Sequence, residues 1–103
     1  MRVSPPLWLN PPQANWIQCI VKNKIDPRGY LVELSLDGEE RSIVVPEDSV
    51  RMDGDTFPAK GDLLVIVVAE LPNDDPRMLT ELPATPIAGS QRIKVSPSSL
   101  QPV

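Results

Sequence analysis

The chain has no histidine and a single cysteine in 103 residues, and those two scarcities remove much chemistry at once. Without histidine there is no side chain whose ordinary pKa lies near neutrality for general acid–base work. One thiol, Cys19, excludes an internal disulfide, and with no histidine it also excludes an ordinary zinc site. Cys19 lies in an apolar, strand-like run and reads as a small buried hydrophobe. Nothing in the cysteine count argues for secretion. Apolar runs are short as well. The longest, residues 63–69, falls far below the ~18–20 residues of a membrane-spanning helix. Near the N-terminus Pro5, Pro6 and Trp8 stand where a signal peptide would carry a continuous apolar segment. The expectation is a soluble, intracellular protein with no membrane partner and no cofactor.

Acids are missing from both ends. All 14 lie between Asp26 and Glu81. Residues 1–15 carry Arg2 as their only charge and four prolines, among them Pro11 and Pro12. Residues 83–103 carry Arg92 and Lys94 with four more prolines. The 67 residues between hold 14 acids and 7 bases, net −7, against +3 for the ends and −4 overall. The chain therefore divides into an extended N-terminal arm (1–15), an acidic core (16–82) and an extended C-terminal arm (83–103). A core of that size is near the lower limit for independent folding, and oligomerisation or a partner is a common remedy.

With thirteen prolines and five glycines, no stretch keeps apolar residues at i, i+3, i+4 and i+7 over three turns, so helix is not expected. Strand patterns are clear. Residues 16–25 place Ile17, Cys19, Val21 and Ile25 on one face. Residues 26–29 (Asp-Pro-Arg-Gly) make a turn, and residues 30–36 alternate again. Asp37-Gly38 is a strong hairpin signal, and the return strand 41–45 ends at Pro46. Residues 46–50 suggest a turn or one loose helical turn, with Val50 and Met52 as plugs. Strands at 63–71 and 77–82 follow. The fold class is all-β: a small antiparallel five-stranded barrel, SH3-like or OB-like, with extended Pro-rich arms. Because 63–69 does not alternate, its outer face also needs a cover, from the arms or from a neighbouring subunit.

Carboxylate pairs are the remaining route to catalysis. Asp53/Asp55 and Asp74/Asp75 sit beside glycine, asparagine or proline, where aspartate stabilises turns, and an enzyme is not expected. Asp53-Gly54-Asp55 lacks the further ligands of a calcium loop. An OB-type nucleic-acid module needs a basic groove and stacking platforms, but this core is acidic and aromatic-poor.

The arms carry bulky apolar groups that solvating tails avoid: Leu7, Trp8 and Leu9 at one end, and Ile87, Ile93, Val95 and Leu100 at the other. With Pro11, Pro12, Arg92 and Lys94 these are the candidate partner contacts. Residues 91–95 alternate well enough to add a strand to a neighbour's sheet, and basic arms suit a neighbour's acidic core.

One resemblance bears on this. Ile43-Val44-Val45-Pro46-Glu47-Asp48-Ser49-Val50, then Lys60-Gly61-Asp62-Leu63-Leu64-Val65-Ile66, then Asp74-Asp75 and a last strand resemble small β-barrel accessory proteins of tailed-phage virions. It covers about 40 of 103 residues, 42–81. It implies a non-catalytic structural role in a virion, as head-completion or capsid cement protein, with a major capsid protein as a partner. The expected function is thus the stapling of neighbouring, multi-copy subunits in a large assembly. An SH3-like adaptor or regulatory subunit of a cytoplasmic complex is the alternative, and an OB-type nucleic-acid module the second.

Overall fold

The computed structural model describes residues 4–25 and 29–103. Its regular structure is almost all strand: β1 (Leu7–Ile25), β2 (Gly29–Leu36), β3 (Glu39–Pro46), β4 (Val50–Met52), β5 (Ala59–Glu70), β6 (Met78–Glu81), β7 (Arg92–Val95) and β8 (Gln101–Pro102). No α-helix occurs among the described residues, and Glu47–Ser49 and Pro97–Ser99 are single 3-10 turns. Among the described residues the count is eight strands where five were expected.

The sheet runs β3-β2-β1-β5-β6-β7, antiparallel throughout, with β4 added to β5 and β8 to β1. Its spine is the β1–β5 pair, which runs from Leu7 opposite Glu70 to Val21 opposite Ala59 with one register shift between Trp8 and Gln13. Each spine strand divides its second edge between two partners. β1 gives residues 20–25 to β2 and Asn15–Trp16 to β8. β5 gives residues 61–63 to β4 and 66–70 to β6. The sheet therefore curls into a nearly closed barrel elongated along β1, 49 × 27 × 21 Å.

The seam between β3 and β7 is not a ladder. Residues 82–91 cross it as a strap. The Ile87 amide donates to the Ser42 carbonyl at 2.8 Å, and Arg41 Nε donates to the Ser90 carbonyl at 2.9 Å. Arg41 also reaches the Glu39 carboxylate at 2.9 Å. Beyond the strap, the Asp37 carboxylate accepts from the Ser96 amide at 2.8 Å and its hydroxyl at 3.0 Å. Asp37 and Gly38 both have positive φ (53° and 81°), the backbone that a tight hairpin turn requires.

Alternation fills the inside. Ile17, Val21, Val32, Ile43, Val45, Leu63, Val65, Leu82, Ile93 and Val95 are all at most 2% exposed. Thr80 is buried among them, its hydroxyl donating to the Met78 carbonyl at 3.2 Å. The inward phase of β1 ends at a register shift between Val21 and Asn23, which leaves Ile25 exposed instead of inside with Ile17 and Cys19.

Parts of both arm segments carry strand. β1 continues through residue 15 back to Leu7, and Pro11 and Pro12 fall in a register shift between Trp8 and Gln13. There β1 takes five steps while β5 takes two, so the prolines' missing N–H groups disturb no ladder. Residues 92–95 do form a strand, but it pairs with β6 of the same chain. The turn at 26–28 and Arg2 lie outside the described residues.

Candidate interaction surface

Two arginines on the outer face of the spine are held in the same way. Arg51 on β4 lies opposite Asp62 on β5 and donates to its carboxylate at 3.1 Å, while its guanidinium carbon sits 4.4 Å from the centroid of the Trp16 ring. Arg92 on β7 lies opposite Glu81 on β6, 3.5 Å from its carboxylate, with its guanidinium carbon 5.2 Å from the Trp8 ring centroid. In each case a cross-strand ion pair aims the cation at a tryptophan of β1. Both pairs are partly exposed, so they contribute orientation more than stability.

Between these two groups runs an apolar trough of about 390 Å³. Leu64, Ile66 and Val68 of β5 line it, with Pro12 and Pro83 at its sides and Glu81 at its rim. Ile66 lies opposite Ala14 on β1 and Glu81 on β6, so the row across all three strands faces outward. The non-alternating stretch 63–69 explains this arrangement: Leu63, Val65 and Val67 go inside, and Leu64 and Ile66 are left outside. Ile66 is 38% exposed and Trp8 53% exposed. The core beneath is already filled, so folding of one chain does not cover this face.

The candidate contacts separate accordingly. Leu7, Trp8, Pro11 and Pro12 are exposed along the first half of β1, and Leu9 is half-buried. Ile87 projects from the strap at 71% exposure. Arg92 and Lys94 face outward from β7. Ile93 and Val95 point into the barrel of their own chain, which leaves their side chains no surface for a partner. Leu100 packs half-buried against the same core. Trp16, Arg51, Leu64 and Ile66 were not among the expected contacts. The uncovered outer face of 63–69 was the signal that pointed to them.

Two of the groups weighed for chemistry have strongly perturbed surroundings. Burial, with the nearby Asp62 charge, pushes the Cys19 thiol up to about 12. Asp75 is pulled down to about 2 by hydrogen bonds from the Arg77 side chain and backbone. Asn73 and Asp74 have positive φ, as turn residues do. Among the described residues no cluster of three or more His, Cys, Asp or Glu is placed to hold a metal ion, and no helix is long and apolar enough to cross a membrane. Scans against protein-family models, curated proteins and solved structures each return no match.

Proposed function

We infer that this protein is a non-catalytic structural subunit of a larger protein assembly, attached through the outer face of its β1–β5 spine. The observation that carries this reading is the apolar trough with Trp8 and Ile66 exposed above a complete core. A contiguous exposed apolar patch rimmed by polar groups is a usual mark of a docking surface. The small SH3-like or OB-like barrel is then a scaffold. The accessory protein of a virion is the concrete version, a reading supported by the resemblance of residues 42–81 and by the exposed apolar groups at Leu7, Trp8 and Ile87. A nucleic-acid module is disfavoured: both tryptophan-facing arginines are already paired with carboxylates, and the chain is net −4.

Removing residues 1–15 or 84–103 is a poor test, since either cut deletes strand from the barrel. Point variants are better. The full chain is expressed in its native cells, and large assemblies are separated by density-gradient sedimentation. The chain should travel with an assembly at fixed stoichiometry, and Ile66→Asp should release it while its circular dichroism stays unchanged. A chain that remains at the top of the gradient, alone, would refute the reading.

A further inference from the structure

The trough lies on the face of a strand whose two edges are both taken. β5 pairs with β1 on one side and with β6 on the other along residues 66–70, so no free main-chain edge runs beside it. A ligand there cannot be bound by strand addition. It must offer side chains while its own backbone stays solvated, which is the property of an extended proline-containing segment. From Leu64, opposite Trp16, to Ala69, opposite Trp8, is five strand steps, ~17 Å at ~3.3 Å each. The two ion pairs at its ends are internally neutral, and the chain around them is net −4. An uncharged or weakly basic segment fits, and an acidic one does not.

This chain carries such a segment. Its first seven residues read Met-Arg-Val-Ser-Pro-Pro-Leu, with one positive charge and no acid. As a polyproline helix Ser4–Leu7 span ~12 Å at ~3.1 Å each, about two-thirds of the trough. Ser4 and Pro5 are exposed, and Leu7 is 65% exposed. Leu7 opposite Glu70 is the last pair of the spine, so the chain before it leaves in the direction opposite to its own trough. Reversing within Pro5-Pro6 is opposed by their fixed φ. A second copy presents the segment without any reversal.

We propose that two copies exchange N-terminal segments, each laying Ser4–Leu7 in the other's trough against Ile66, Leu64 and Pro12. The arrangement is isologous, so it closes as a two-fold dimer. It rests on the reading of this face as a docking surface and names the occupant.

Sedimentation equilibrium of the full chain tests it, with a synthetic peptide of residues 1–9 as competitor. A monomer–dimer equilibrium is expected. Its Kd should rise at least about tenfold in Ile66→Asp and in the double variant Pro5→Gly/Pro6→Gly, with both still folded by circular dichroism. Peptide in excess should convert dimer to monomer. The proposal is overturned by a chain that stays monomeric at about 1 mM, the weak end of specific association. It is equally overturned by a dimer that either variant leaves unchanged, or by one that the peptide fails to dissociate. A monomer that still joins a larger particle would sink the exchange and leave the assembly reading standing; a dimer that joins nothing larger would do the reverse.

Discussion

Replacing Ile93 with alanine distinguishes a strand of the barrel from an arm awaiting a partner. Ile93 is 2% exposed on β7, opposite the buried Thr80 on β6. Alanine lacks roughly three methyl or methylene groups of isoleucine, a transfer loss of about 2.4 kcal/mol at ~0.8 kcal/mol each. The barrel is pinned on both sides of the site, by the strap before β7 and by the Asp37–Ser96 bonds after it, so it collapses little into the space. A cavity contribution then brings the total to about 3–4 kcal/mol. A chain of 103 residues has about 5–15 kcal/mol in all, so the variant loses a large share. Its Tm should fall by roughly 12–25 °C. Ile87→Ala is the control: that side chain is 71% exposed on the strap and should change stability by less than about 0.5 kcal/mol. Urea unfolding followed by circular dichroism and by tryptophan fluorescence gives both values. Equal, small effects of the two substitutions would mean that β7 does not belong to the cooperative barrel.

Other expectations follow from single contacts. A Cβ on Gly61 would sit 2.6 Å from the Arg51 carbonyl oxygen, so Gly61→Ala should cost about 1–3 kcal/mol in urea unfolding, and a neutral result would show that β4 can move aside. Asp75 is depressed to about 2, so the stability it contributes is complete above the ordinary carboxylate range and is lost as pH falls towards 2. In Arg77→Ala its carboxyl titration, followed by NMR, should return towards the usual range; an unchanged midpoint would refute the assigned cause. Cys19, raised to about 12 and buried, should react with a thiol reagent at pH 8 only as fast as the chain opens, and rapid labelling of the folded protein would contradict its placement.

Much of the core was legible because its signals are local. Asp37-Gly38 has the positive φ pair its sequence implied, and the alternation of β2 and β3 matches their inward faces. The interruption at Pro46 and the turn after it also lie where the residues place them. The start of β1 was hidden by prolines, since Pro11 and Pro12 look like strand breakers until an opposing register shift makes room for them. β4 and β8, of three and two residues, are too short to leave a periodic pattern. For β7 the pattern was visible and the partner was not: alternation reveals that a strand has a buried face, but not which chain buries it. The trough was half legible. Residues 63–69 announced a second apolar face, while the Arg–carboxylate pairs at its ends depend on cross-strand registers that pattern alone does not supply.

The strap has a consequence for how the chain is made. Arg41 and Ser90 are 49 residues apart, and Asp37 and Ser96 are 59 apart. During synthesis the hairpin of β2 and β3 is complete long before the residues that cover its open side have been added. At ~5–20 residues per second that interval lasts about 3–10 s. Through it the nascent hairpin presents Ile43, Val45 and an uncapped row of amides and carbonyls to whatever else is being translated nearby. Glu39, Glu40 and Arg41 head that row, and their charges guard the growing chain against its neighbours before Arg41 takes its place in the finished seam.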